Sequence, residues 1–199
     1  FNQVTAKLND SERMEVLRKL EKLAEKYPKN SQLWLSRSHI YALLDQRQSA
    51  LDASAKAIRL DKNDVRPVVM HSELRFNYND QKSALKKMER GLKRFPNSKQ
   101  LNLLYAQSLL KLSKTKKAKK QIYQTLERFP NETELRFQLA LISADFKLNH
   151  VAKDLFKLGL ENGYRKEETY FHLSRIAENN GRYDEAIENL KNIKPGAGF

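Results

Sequence analysis

Cysteine is absent from this chain of 199 residues. That removes disulfides, thiolate catalysis and every cysteine-based metal site, and it fits a cytoplasmic or a periplasmic compartment equally. Glycine is sparse: Gly91, Gly159, Gly163, Gly181, Gly196 and Gly198 are the six, and none belongs to a phosphate-cradling loop. No apolar run reaches the ~20 residues needed to cross a bilayer. His39, His71, His150 and His172 fall far from any HExxH or i, i+4 ligand spacing, so they read as surface or groove residues rather than metal ligands. Carboxylates are plentiful, but nothing in the pattern singles out a catalytic pair. Expected, then, are no catalytic residue, no metal and no cofactor: the chain reads as a non-enzyme.

What the chain has is a period. Ala50, Ala84, Ala118, Ala152 and Ala186 recur at one constant interval, held to the residue. A second column, twelve residues earlier, is uniformly small: Ser38, Ser72, Ala106, Ala140 and Ser174. A third, seven residues after the alanine, holds Ala57, Gly91, Thr125 and Gly159 before Ile193 departs from it. Bulky Met88, Ile122, Phe156 and Leu190 stand between, although Ser54 fills that slot in the first copy. Small side chains where two helices cross, with large apolar ones three or four residues away, describe antiparallel helix pairs. Pro28, Pro96 and Pro130 close units in register, with Lys62 and Tyr164 in the same slot elsewhere. Proline cannot continue a helix and so marks a boundary. Asp45, Asp80 and Asp184 lie near the intervening turns, where a carboxylate can accept the first free amides. A fixed period of this length predicts a stack of like units, built for binding.

On these residues the chain resembles the tetratricopeptide repeat family. Trp34, Tyr41, Ala50 and Ala57 carry the likeness in one copy; Ala84, Gly91 and Pro96 in the next; Ala118 and Pro130 in a third. Leu139, Ala140, Ala152 and Phe156 carry it in a fourth, and Leu173, Gly181, Tyr183 and Ala186 in a fifth. Arg75, Leu109, Ser143 and Ala177 depart from the pattern where Tyr41 supplies an aromatic. The resemblance implies an all-α fold, a right-handed α-solenoid of antiparallel helix pairs. Five units would occupy 31–64, 65–98, 99–132, 133–166 and 167–199 as one continuous domain. Residues 1–30 would be a partial repeat whose second helix runs over about 11–27, with Met14, Leu17, Leu20, Leu23 and Ala24 as its apolar stripe. With no polar capping helix after Lys194 and no initiator Met, the expectation is a piece of a longer repeat protein.

The formal net charge is +14, and the stretch from Lys82 to Lys120 carries most of it: thirteen cations against Glu89, or +12. Lys82, Lys86, Arg90 and Lys93 follow helical spacing opposite Leu85, Met88 and Leu92; Lys116, Lys117, Lys119 and Lys120 continue the run. This basic ridge suits an acidic protein or an anionic membrane surface. Nucleic acid is the least supported partner, because few aromatics interleave with the lysines. The plainer reading is a solvated face.

In this family the first helices of each pair line a concave groove, and a guest lies along it. One slot there reads Leu35, Val69, Leu103, Phe137 and Phe171; the slot four residues on includes His39, Glu73, Gln107, Leu141 and Arg175; a third includes Phe76 and Leu110. An apolar row beside varying polar groups suits a peptide, the row giving affinity and the variable positions specificity. The plainer reading is that the row is core. The family's clamp for a chaperone's terminal carboxylate is not expected, since Leu35, His39, Met70, Gln100 and Leu104 stand in its places. The stretch from Tyr170 to Glu178 with Gly181 resembles repeats of lipid-anchored envelope proteins that assist assembly or feed a protease. That likeness points to the periplasm, with the cytoplasm as the alternative. A peptide or protein guest is the first partner expected. A second copy, stacked through the last helix around Ile187, Leu190 and Ile193, is the second.

Overall fold

A computed structural model describes residue 5 and residues 7–194; Gly196, Gly198 and the expected close of the last unit lie outside them. Regular structure among the described residues is helical: α1 (Asp10–Lys26), α2 (Ser31–Leu43), α3 (Arg47–Leu60), α4 (Arg66–Asn77), α5 (Gln81–Arg94) and α6 (Lys99–Lys111). Then follow α7 (Thr115–Arg128), α8 (Thr133–Asp145), α9 (Asn149–Glu161), α10 (Lys166–Asn179) and α11 (Tyr183–Lys191). The chain divides into two compact units, Phe1–Tyr105 and Ala106–Phe199.

The alanine period reappears in the backbone hydrogen bonds. Five helices, α2, α4, α6, α8 and α10, end in the same way. The amides of Gln46, Asp80, Lys114, Leu148 and Arg182 donate to the carbonyls of Tyr41, Arg75, Leu109, Ser143 and Ala177 at 2.8 to 2.9 Å. Between them Asp45, Asn79, Ser113, Lys147 and Gly181 take left-handed φ angles of 53°, 66°, 54°, 57° and 71°. This is the Schellman closure, which reverses the chain and satisfies carbonyls the helix leaves open. The residue completing each closure then accepts, through its carbonyl, the amide of Ala50, Ala84, Ala118, Ala152 or Ala186 at 3.0 Å. One turn therefore stops the first helix, starts the second and sets the alanine in place. The left-handed turn position is the repeating device, and of the three aspartates only Asp45 occupies it. The Asp45 carboxylate pairs with Arg47 at 3.0 Å, that of Asp80 pairs with Arg75, and Asp184 lies inside the first turn of α11.

The small columns do the work expected of them. Ala50, Ala84, Ala118 and Ala152 are fully buried, as are Ser38, Ser72, Ala106 and Ala140. The Ser38 hydroxyl donates to the Ala50 carbonyl at 2.8 Å, so the two columns touch across one helix pair. At Gly91 an added methyl would lie 2.9 Å from both Leu101 and Val68, a distance real side chains do not adopt. At Gly159 the same methyl would meet nothing within 4 Å.

In the first unit α1 packs on α2, α2 on α3, α3 on α4 and α4 on α5. Leu17, Leu20 and Ile40 form a core cluster with Val16, Leu33 and Tyr41 against it. The start of α1 is capped as its sequence allows: Asn9 accepts from the Glu12 amide at 3.0 Å while the Glu12 carboxylate accepts from the Asn9 amide at 2.8 Å. Such reciprocal capping is worth about 1 kcal/mol. Three dissimilar donors serve one slot along the chain. Trp34 donates to the Pro28 carbonyl at 3.0 Å, Asn102 to the Pro96 carbonyl at 2.9 Å, and Arg136 to the Pro130 carbonyl. In the second unit α8 packs on α9, α9 on α10 and α10 on α11. The loop before α10 departs from the others. Arg165 adopts φ 42°, and the amide of Tyr164 reaches the Gly159 carbonyl at 3.2 Å.

Candidate protein-binding surfaces

Within the first unit the groove candidates sort by burial. Val69 and Phe76 are 3% and 8% exposed and belong to the core. Leu35, His39 and Leu103 are half-buried, and Glu73 is exposed. Burial holds the His39 imidazole below the ordinary histidine range, so it is neutral at pH 7. His71 is not a surface or groove residue: it is buried, with Nδ1 2.8 Å from the Ser54 hydroxyl. Its Nε2 accepts from the Arg75 guanidinium at 2.9 Å, which leaves the proton on Nδ1 facing Ser54. Burial, then the Arg75 and Lys87 charges, push its pKa down to about 4.

Within the second unit Leu110 and Phe137 are buried, Gln107, Leu141 and Phe171 are half-buried, and Arg175 is exposed. Phe137, expected in the apolar row of the groove, is instead the centre of a ring cluster. It meets Phe156 edge-on at 5.6 Å, Tyr164 at 6.1 Å and His172 at 6.1 Å, and the Arg165 guanidinium lies 5.0 Å from its ring. His172 stacks on Phe156 with ring planes 2° apart and meets Phe171 at 5.6 Å. Burial keeps His172 below the usual histidine range. Phe171 stays half-exposed, and the Arg175 guanidinium lies 5.9 Å from its ring. Sequence reasoning missed the parts of Tyr164, Arg165 and His172. The one signal was tyrosine in a slot that proline fills elsewhere.

The accessible candidates are therefore Leu35, His39, Glu73 and Leu103 in one unit, and Gln107, Leu141, Phe171 and Arg175 in the other. All lie on first helices of their pairs. The cations also divide between the units. Lys82, Lys86, Arg90 and Lys93 are exposed on α5; Lys116, Lys117 and Lys120 are exposed on α7, with Lys119 half-buried. On α11, Tyr183, Ile187 and Leu190 are 66%, 53% and 48% exposed. Among the described residues no three His, Asp or Glu side chains gather as a metal site would require, and no helix is long and apolar enough to cross a membrane.

These helix pairs, their turns and their packing give an all-α fold of the tetratricopeptide type. A family model described as tetratricopeptide repeat matches residues 31–64 and 167–192. No curated protein matches it in sequence. Among solved structures, it is similar to PilW, described as a widely conserved type IV pilus biogenesis factor. That match has 17% identity and a TM-score of 0.68, over 90% of this chain and 83% of that one. It is similar to PilF of Pseudomonas aeruginosa, with 15% identity and a TM-score of 0.64, over 94% of this chain and 86% of that one. A third, YrrB, is described as a TPR protein with an unusual peptide-binding site; identity is 19% and the TM-score 0.58, over 86% of this chain and 89% of that one. At these identities the likeness is one of fold. Proteins of this fold bind protein or peptide partners and are typically non-catalytic.

Proposed function

We propose that this chain is a non-catalytic adaptor that holds an extended or helical peptide segment against its first helices. The observation that carries the reading is one slot of the repeat. Leu35, Leu103 and Phe171 keep large apolar side chains partly open to solvent there, where Val69 and Phe137 have gone into the core. Beside them Glu73 and Arg175, opposite in charge, stand exposed one helical turn along. Apolar contacts supply most of the affinity of such a surface, and the changing polar neighbours select among sequences. The basic faces of α5 and α7 would raise the rate at which acidic guests arrive.

Selection of a displayed random peptide library on the purified chain tests this. Enriched peptides should bind either Leu103→Ala or Phe171→Ala about tenfold more weakly, or roughly 1.4 kcal/mol, with helical circular dichroism unchanged. Enriched peptides that bind both variants as well as the parent would remove the reading.

A second reading rests on α11. The slot of Leu190 is buried in the preceding repeats at Met88, Ile122 and Phe156 but is 48% exposed here. A second copy could cover it. Sedimentation across a hundredfold concentration range decides: a monomer throughout sets this reading aside.

A further inference from the structure

The exposed cations of α5 and α7 are free of ion pairs. Several cations elsewhere on the second helices have partners. Arg47 of α3 lies 3.0 Å from the Asp45 carboxylate, Lys56 of α3 lies 3.6 Å from the centre of the Trp34 ring, and Lys153 of α9 reaches Glu185 at 2.5 Å. Lys82, Lys86, Arg90 and Lys93 of α5 are exposed, and among the described residues none of them pairs with a carboxylate. The same holds for exposed Lys116, Lys117 and Lys120 of α7. Glu89, the one acid on α5, accepts from the Tyr105 hydroxyl at 2.6 Å.

Each set forms a stripe. On α5, Lys82, Lys86, Arg90 and Lys93 fall within about 80° of the helix circumference, over roughly 16 Å of its length. On α7, Lys116, Lys120 and Tyr123 fall within about 60°, and Tyr123 is 42% exposed. Lys82 and Lys86, Lys86 and Arg90, and Lys116 and Lys120 are like charges four residues apart, a spacing that weakens a helix. A face kept only for solubility mixes signs, as α1 does where Lys19 pairs with Glu15 at 2.6 Å. The stripes on α5 and α7 hold one sign against that tendency, and an anionic partner offsets the repulsion.

The kind of partner follows from what accompanies the charge. Among the described residues α5 exposes no large apolar side chain and α7 exposes Tyr123 alone, so neither carries the cluster of aromatic or aliphatic anchors that a protein interface depends on. Lysine outnumbers arginine on both stripes. They therefore present hydrated point charges rather than the planar forks that grip a carboxylate or phosphate bidentately. A nucleic acid would further ask for stacking rings, which α5 does not expose. Anionic headgroups move laterally to meet the cations, and their attraction grows with the number of lysines near them. Tyrosine suits the boundary between lipid and water. We propose that α5 in the first unit and α7 in the second are each attachment faces for an anionic lipid surface. No residue of the apolar row takes part, so attachment stands or falls independently of the peptide reading above.

The test is co-sedimentation of the full chain with vesicles of phosphatidylcholine alone, or of phosphatidylcholine and phosphatidylglycerol in equal parts. Binding is expected to the mixed vesicles only, with affinity falling steeply as sodium chloride is added. The triple variant Lys82→Glu, Lys86→Glu, Lys93→Glu should weaken it about tenfold or more, and so should Lys116→Glu, Lys117→Glu, Lys120→Glu. The control Lys29→Glu, Lys157→Glu, Lys166→Glu makes the same change of net charge at exposed lysines off these faces and should weaken binding far less. Tyr123→Ser should weaken it while leaving the salt dependence unchanged. No sedimentation with mixed vesicles at low salt overturns the proposal, and so does an equal loss in all three triple variants. Tighter binding to polyuridylate or polyglutamate than to the vesicles, at matched ionic strength, overturns it in favour of a nucleic acid or an acidic protein. Should a charge reversal lose helical circular dichroism, the corresponding glutamine variant takes its place, with the same order of effects expected.

Discussion

Single residues set the spacing of this molecule, and two glycines of one column show how. Gly91 is enclosed by Leu101 and Val68, whereas Gly159 faces open space. Gly91→Ala should therefore be destabilising: overpacking costs about 1–3 kcal/mol, against about 1 kcal/mol regained from helix propensity. Gly159→Ala should gain up to about 1 kcal/mol. Chemical denaturation of the two variants checks the opposite signs. His71 makes a second prediction at this scale. Its folded pKa is about 4 against an ordinary value of 6.5, so between those values the unfolded chain binds more protons. Stability from this group is full above pH 6.5 and is lost as pH falls towards 4. A gap of ~2.5 units at about 1.36 kcal/mol each bounds the loss at roughly 3 kcal/mol. His71→Leu, matching Leu139 and Leu173 of the same slot, should flatten the pH dependence across that window. Equal slopes in parent and variant would show that other groups carry it.

At the scale of elements, the left-handed turn residue is what each helix pair depends on. Only one of the five copies, Gly181, uses the residue suited to positive φ; Asp45, Asn79, Ser113 and Lys147 tolerate it. A left-handed non-glycine residue costs about 1–2 kcal/mol, part of which returns as unfolded-state entropy when glycine is absent. Lys147→Gly should thus stabilise by about 0.5–1 kcal/mol and Gly181→Ala should destabilise by about 1 kcal/mol. Thermal melts of both test this. The same turns show where sequence reading stops. The alanine, serine and glycine columns announced the helix pairs because a close crossing accepts few side chains. The turn slot was hidden because a single αL position accepts aspartate, asparagine, serine, lysine and glycine alike, and of the three aspartates only Asp45 occupies it.

The candidate surface was legible to a lesser degree, for a reason of the same kind. Sequence places Leu35, Val69, Leu103, Phe137 and Phe171 in one slot, but burial is decided by what the neighbouring helix and loop bring up. Phe137 is buried because the loop before α10 lacks proline and lays Tyr164 and Arg165 against its ring. Phe171 keeps an open edge. No period in the chain foretells that difference.

At the scale of the whole molecule, one period runs through composition, turns and packing, the interval that separates Ala50 from Ala84. The consequence for function is that first-helix side chains recur as an ordered set available to a guest, while second helices present lysine and arginine to solvent. The most direct measurement is the amide chemical-shift footprint of a library-selected peptide on the labelled chain. Perturbed amides are predicted on α2, α4, α6, α8 or α10, spaced by that same interval and centred near Leu35, Leu103 or Phe171. Perturbations confined to the second helices α3, α5, α7 and α9, or scattered without that spacing, would contradict it.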